Sequence, residues 1–310
     1  MTLILKKKNI QVYILSRNRP NYLREALDSV LKQNHSLIKF EIIISDNSNN
    51  EDVRSMIDKD YHQKNIKYIR RSGTASLIGH VQLVVSELNT EYAVIFHDDD
   101  ILYPDYMNVM SSFLNNNDVV AVGCNGMNFS DNVLDSKLRI RNLSSSIKFN
   151  NEKDFLERYL PGNGGAVAYP CYMYRTKYLK QAMIKAPFKG KHFDVGILSS
   201  LLNYGTIVWL TKPLIYYREH TSNLSVVANI PDRLVLLNYM KKKGIKKHST
   251  NLLLFRIMFW VKWVLQQGNF LSNITRWRYR VIFLSVLLKI IKISMRWDFW
   301  KIVFTRYNVL

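Results

Sequence analysis

Cysteine is nearly absent: Cys124 and Cys171 are the only two in 310 residues. That excludes a disulfide framework and a zinc site built on cysteine, and a reduced, cytoplasmic setting is the simplest expectation. Glycine-rich phosphate loops are missing too. No Gly-x-Gly-x-x-Gly follows the first apolar run, which argues against a dehydrogenase-type dinucleotide fold. No Gly-x-x-x-x-Gly-Lys-Ser/Thr occurs either, which argues against a P-loop NTPase. Long hydrophobic runs are lacking: no window reaches the roughly 18 uninterrupted apolar residues of a membrane-spanning helix. The apolar stretch after Lys6, Lys7 and Lys8 is broken by Arg17, Asn18 and Arg19, too soon for a signal-peptide core. Acid is scarce at one end. From Lys241 onward fifteen Lys and Arg face one acid, Asp298, so this segment carries +14 of the formal charge of +20.

What is present is a core. The chain is 47% hydrophobic, which excludes global disorder, and its length allows one large α/β domain with an appendage or two modest domains. Strand-like and helical patterns alternate over the first 125 residues. Ile10–Leu15, Phe40–Ser45, Ile66–Ile69, Ala93–Phe96 and Val119–Val122 read as strands. Helical patterns at Pro20–Gln33, Asp52–Ile57, Ala75–Leu88 and Pro104–Leu114 separate them. Such alternation predicts an α/β fold with a mostly parallel, Rossmann-like sheet flanked by helices. After Asp131 a polar stretch to Ser146 reads as a mobile loop. A helix at Glu152–Tyr159, a turn at 161–165 and a strand over Val167–Tyr174 follow. Next come a helix after Thr176, another at Asp194–Leu202 and a strand at Thr206–Leu210. Beyond Asn229 the pattern is all helical. The expected division is a catalytic domain over 1–228, with halves near 1–125 and 126–228, and a basic helical region over 229–310.

Three consecutive carboxylates, Asp98, Asp99 and Asp100, follow the apolar run Ala93-Val94-Ile95-Phe96 with only His97 between. Two like charges about 4 Å apart cost on the order of 4 kcal/mol at an effective dielectric of 20. A cation among them, or full solvation, relieves that cost. Open α/β sheets bind ligands at the carboxyl ends of their strands, and three ends here are polar. They carry Ser16-Arg17-Asn18-Arg19, Asp46-Asn47-Ser48, and His97 with the triplet. Arginine on one side and carboxylates on another suit a nucleoside diphosphate held partly through Mg²⁺ or Mn²⁺.

These segments resemble the inverting family 2 glycosyltransferases of the GT-A fold. The resemblance rests on Val12-Tyr13-Ile14-Leu15-Ser16-Arg17-Asn18-Arg19-Pro20, on Ile44-Ser45-Asp46-Asn47-Ser48, and on the DXD-like stretch Glu91 to Pro104. A weaker match is Phe193-Asp194 followed by Gly205, Pro213 and Tyr217-Arg218-Glu219-His220. The resemblance implies a metal-dependent enzyme that moves a sugar with inversion from a nucleotide-sugar, UDP-linked by expectation, in O-antigen or capsule-type polysaccharide synthesis. Asp46 would accept a hydrogen bond from the base, with Ser16 and Arg17 lining the nucleoside pocket. Asp98, Asp99 and Arg218 complete the expected donor contacts, although Arg218 and His220 could equally be structural. Asp98, Asp100 and His220 are the expected metal ligands. Two registers stay open, since alignment on Ile101-Leu102 places His97 first and Asp99 second. His97 is either a ligand or a hydrogen-bonding loop histidine. Asp194 is the expected base that takes the acceptor hydroxyl proton; it could equally cap the helix that follows. Where many members carry Arg-Asn, this chain has Gly79-His80-Val81-Gln82, so donor contacts there do not carry over.

Leu252–Leu265 and Val281–Ile293 are apolar but interrupted by Arg256, Lys262, Lys289 and Lys292. Cationic helices of this kind suit the plane of an anionic membrane surface, or pack on the catalytic domain or a second subunit. The expected place is therefore the inner face of the cell membrane, peripherally bound, with a saccharide or polyprenyl-diphosphate-linked acceptor. Two rivals remain. One is a nucleic-acid-binding protein using the basic tail, disfavoured by the aliphatic runs among its charges. The other is a sugar nucleotidyltransferase, which lacks support from any Gly-rich N-terminal loop.

Overall fold

The computed structural model describes residues 8–34, 38–71, 76–140, 145–160, 172–187, 190–219 and 230–246, with scattered positions between 252 and 300. The expected turn at 161–165, the start of the strand expected from Val167, Cys171, His220 and most of the two apolar C-terminal runs lie outside the described residues. Contacts divide the chain into two units. One comprises Met1–Ile140, Ser144–Glu152 and Val167–His220; the other Arg141–Leu143, Lys153–Ala166 and Thr221–Leu310.

The larger unit opens with β1 (Lys8–Ser16), α1 (Pro20–Leu31), β2 (Ile38–Asp46), α2 (Asp52–Asp60), β3 (Ile66–Arg70) and α3 (Leu77–Glu87). Then come β4 (Tyr92–His97), β5 (Ile101–Leu102), α4 (Tyr106–Phe113), β6 (Val119–Phe129), β7 (Lys137–Leu138) and β8 (Ile147–Phe149). α5 (Glu152–Tyr159) belongs past Glu152 to the second unit, and the larger unit resumes with β9 (Tyr172–Arg175), α6 (Thr176–Lys185), α7 (Phe193–Leu201) and β10 (Thr206–Arg218). The strands form a single sheet in the order β3-β2-β1-β4-β9-β6-β10-β5. From β3 to β4 all neighbours are parallel. The other half is mixed, because β9 runs against both β4 and β6 while β10 is parallel to β6.

Burial explains the elements. Val12, Ile14, Ile43, Ile44, Val94, Ile95 and Phe96 are wholly buried, as central parallel strands covered on both faces require. Pro20 opens α1, where its missing N–H costs nothing, and Leu23, Ala26, Leu27 and Val30 form its buried face. Polar side chains fix α1 to the chain beyond the acidic triplet. Ser29 Oγ accepts from Leu102 N at 3.0 Å, and Gln33 bonds both Met107 N and Tyr103 O.

Three stretches differ from the sequence expectation. β6 runs on to Phe129 because it keeps pairing with β10. The polar stretch after Asp131 is structured as far as Ile140: a 3₁₀ turn at Val133–Asp135 leads into β7, which pairs with β6. The buried Asn125 ties this stretch down, accepting from Ile140 N and donating to Ile140 O. β10 does not stop at Leu210. Its register slips on both sides of Pro213, which offers no N–H to the ladder, and pairing then resumes to Arg218. Gly205, just before β10, must be a glycine. A Cβ there would lie 2.4 Å from the Asp118 carbonyl oxygen, which accepts from Thr206 N.

In the second unit α8 (Ile230–Lys242) buries Leu236 and Met240. Gly244 takes a positive φ of 80° at its end, and Ile245 N reaches back to Met240 O, closing the helix as a Schellman turn. The Arg233 guanidinium lies over the Phe255 ring, which also meets Tyr159 edge-on. Further along, the helical positions Leu284, Leu287, Leu288 and Ile291, with Met295 at the following turn, are all exposed. Their spacing puts them on one helix face. Among the described residues no helix is long and apolar enough to cross a membrane.

Candidate active site

The triplet sits where the β1–β4 ladder ends. Leu15 pairs with His97, and Asp98 N donates to Leu15 O at 3.1 Å, so the next residues project over the carboxyl end of β1. Asp98 is fully buried and turned toward the β1 exit. Its Oδ1 meets Arg19 Nη2 at 2.5 Å and its Oδ2 accepts from Arg17 N at 3.1 Å. Burial pushes the Asp98 carboxyl up to about 7, against the pull of Arg19. Asp99 Oδ2 pairs with Arg19 Nη1 at 2.8 Å. Asp100 Oδ1 accepts from Arg218 N at 3.0 Å.

His97, Asp99 and Asp100 converge: each offers a ligand atom, and these atoms lie within 4.8 Å of one another. Burial lowers the pKa of His97, keeping a neutral imidazole able to coordinate. Two carboxylates and one neutral nitrogen are a donor set that fits Mn²⁺ or Mg²⁺. Asp98, expected among the metal carboxylates, is not in this group; its two oxygens are taken up by Arg19 and Arg17 N.

Arg218 anchors the triplet from β10. Its Nε donates to Asp99 O at 3.0 Å, Nη1 to Ser130 O at 3.3 Å and Nη2 to Glu25 at 2.6 Å. The guanidinium also lies between the rings of Tyr22 and Phe129. All three nitrogens bond within the protein and the residue is buried, so it shapes the acidic turn where the sequence suggested phosphate contact.

Asp46 is buried at the end of β2 and receives four donors. Ser48 N and Ser48 Oγ bond Oδ1, while Tyr68 Oη at 2.6 Å and Arg70 Nη1 at 2.8 Å bond Oδ2. Burial and the bond to Asp46 push the Tyr68 phenol up to about 12, so it stays a donor. Asn18 adopts φ 55°, a left-handed conformation that Asn tolerates. This lets Asn18 N reach Ser48 Oγ and Asn18 Oδ1 accept from Asn49 N, joining the exits of β1 and β2. Ser16 is buried beneath this junction, and Arg17 is exposed on its rim.

Behind β2, Ser45 Oγ lies 2.8 Å from His80 Nε2 and accepts from Arg71 Nε. Arg71 makes a two-pronged pair with Glu87. Desolvation, reinforced by Arg71, takes His80 down to about 4, so the histidine at the departing position is neutral.

Asp194 opens α7 as its second residue, half-buried, with Oδ1 accepting from Val195 N at 2.8 Å. Desolvation raises its carboxyl to about 6, partly offset by backbone donors. The N-cap position itself belongs to His192, which makes no side-chain cap bond.

Sequence reasoning missed Arg19, Glu25, Ser48, Tyr68 and Arg70. Arg19 stood in the quoted motif, but nothing local separates it from Arg17. Its two partners lie about eighty residues away along the chain.

Comparison with known proteins bears on the fold and the family. The model of glycosyl transferase family 2 matches residues 11–182, more than half of the chain. Among curated relatives, the abequosyltransferase RfbV of Salmonella typhimurium is 32% identical over 107 residues, covering 34% of this chain and 32% of its own. Protein CgeD of Bacillus subtilis is 26% identical over 110 residues, covering 33% and 25%. The chain thus spans a quarter to a third of those relatives' lengths. Among solved structures, Staphylococcus aureus TarS 1-349 with UDP-GlcNAc superposes with a TM-score of 0.60 at 14% identity, covering 88% of this chain and 83% of that one. The Pyrobaculum calidifontis mannosyltransferase PcManGT, in complex with GDP-Man and Mn²⁺, gives 0.52 at 11% identity, covering 94% and 88%. The fold is GT-A, and the chain belongs to glycosyl transferase family 2.

Proposed function

We propose that the protein transfers a sugar, with inversion, from a nucleotide-sugar to a saccharide or polyprenyl-diphosphate-linked acceptor in surface-polysaccharide synthesis of the O-antigen or capsule type. The observation that carries this reading is the convergence of His97, Asp99 and Asp100 at the carboxyl end of β4, with the β1 and β2 exits alongside. A nucleoside would lie over Ser16 and the Asp46 network, with the exposed Arg17 on its rim. His97, Asp99 and Asp100 are the residues suited to hold Mn²⁺ or Mg²⁺. Such a cation supplies positive charge to the departing diphosphate. Arg218 and Glu25 keep the turn in shape. Asp194 takes the proton of the acceptor hydroxyl as it attacks the anomeric carbon, and its raised pKa brings it near the working range of a base. TarS and PcManGT were solved with UDP-GlcNAc and GDP-Man, so uridine and guanosine donors are the first to test. In calorimetry, one nucleoside diphosphate should bind in a Mn²⁺-dependent manner, and its sugar conjugate should be hydrolysed slowly without acceptor. If no nucleotide of a broad panel binds with or without metal, the donor assignment fails.

The basic region over 229–310 is assigned here to an anionic membrane surface on the cytoplasmic side. Leu284, Leu287, Leu288, Ile291 and Met295 form an exposed apolar face within the segment that carries +14. An amphipathic, strongly cationic helix gains from both acyl burial and anionic headgroups. The protein should co-sediment with vesicles containing phosphatidylglycerol and release on raising the salt. Replacing Leu284, Leu288 and Ile291 by Ser should weaken binding at least about tenfold. Equal binding of that variant would remove this face from the account.

A further inference from the structure

We propose that Arg19 is a diphosphate-binding residue held in reserve: without donor it bridges Asp98 and Asp99, and on donor binding it leaves Asp99 for the diphosphate. The inference rests on the transferase reading above. One guanidinium spans two adjacent carboxylates, at 2.5 Å to Asp98 and 2.8 Å to Asp99. Asp99 is the contested residue, since it also belongs to the group with His97 and Asp100. A carboxylate that faces a divalent cation gains little from a guanidinium beside it, because the two cations repel. The two ends of the bridge are unequal. Asp98 has no exposed side-chain surface and is held a second time by Arg17 N, so it is the fixed end. Asp99 is 11% exposed and the Arg19 side chain 34% exposed, so this end opens to a ligand.

The backbone of Arg19 does not have to move. Its carbonyl accepts from Leu23 N in the first turn of α1, so only the side chain turns, about its contact with Asp98. A diphosphate offers several oxygens to the same planar fork and more charge than one carboxylate. The bridge therefore does two things. It neutralises the triplet before the donor arrives, and it delivers a cation to the donor once Asp99 is needed elsewhere.

The test compares wild type with Arg19→Gln and Arg19→Lys by calorimetry, first with Mn²⁺ alone, then with UDP and GDP at saturating Mn²⁺. Circular dichroism checks folding. Removing the bridge should tighten Mn²⁺ binding about tenfold, the scale of a partly screened charge pair, and weaken diphosphate binding by a similar factor. Arg19→Lys keeps a point charge but loses the fork, and should fall between on both measures. Opposite signs are the signature, since a residue that only shapes the turn would lower both affinities together. That parallel loss, or an unmoved Mn²⁺ affinity, overturns the proposal. Wild type binding no nucleoside diphosphate of a broad panel would instead bring down the transferase reading itself, together with the reserve role. Firm wild-type binding left unchanged in Arg19→Gln removes Arg19 alone.

Discussion

Asp194→Asn is expected to lower kcat/KM by about 10³-fold, within the range for loss of a positioned base, while donor affinity stays within about twofold. The side chain keeps its shape, and an amide oxygen can still accept from Val195 N. Only the ability to take a proton is lost. In the wild type, activity should rise through a limb centred near pH 6, the value to which burial raises this carboxyl, because the ionised form is the base. The limb should vanish in the variant. Stability supplies the opposing readout. A folded pKa raised above the unfolded value means the native state prefers the neutral acid. That contribution is complete below about pH 4 and fades as pH rises through about 6. The neutral Asn avoids the cost of ionisation, so the variant should be more stable than wild type at pH 8, by about 1 kcal/mol after discounting for solvent. Thermal melts at pH 4.5 and pH 8 check this. If Asp194 served mainly to cap α7, the variant, whose amide oxygen can still cap, would stay nearly as active and the limb near pH 6 would persist.

The second large effect separates the two readings of the acidic triplet. Asp100→Asn should weaken Mn²⁺-dependent nucleoside diphosphate binding by 10²-fold or more, exceeding the roughly 10–100-fold typical of an outer-shell partner. The amide oxygen can still take the Arg218 N bond, so the turn should survive. Asp98→Asn should change the same affinity by at most about tenfold, because Asp98 faces Arg19 and Arg17 N, outside the converging group. Calorimetry on the two variants side by side reads the difference. Equal losses would restore Asp98 and Asp100 as the paired ligands.

Most strands and helices around the site were legible because each is marked by its own residues. Central strands such as Ala93–Phe96 are continuous apolar runs, and α1 shows Pro at its start and one apolar face. Where elements depend on partners, local pattern falls short. β6 extends to Phe129 and β10 to Arg218 only because they pair with each other past Pro213. β7 lies in a polar stretch fixed by Asn125 from another strand. The same limit governs the site. Asp46, the triplet and Asp194 announce themselves as carboxylates at element ends. Which of three consecutive carboxylates faces a cation depends on Arg19, Arg17 N and Arg218, each distant in sequence and adjacent only after the sheet forms.

The fold class, the family, the carboxyl-end location of the polar residues and the basic character of the segment after Lys241 are all legible in the linear chain. These follow from apolar periodicity, charge and short contiguous motifs, all of which are local. Folding is needed to see that Asp98 pairs with Arg19, that Asp99 and Asp100 group with His97, and that Arg218 is buried among Tyr22, Phe129 and Glu25. Ion pairs and hydrogen bonds act over about 3 Å. Their partners here come from β1, β4, α1 and β10, brought together at one edge by a strand order that the chain does not spell out in sequence.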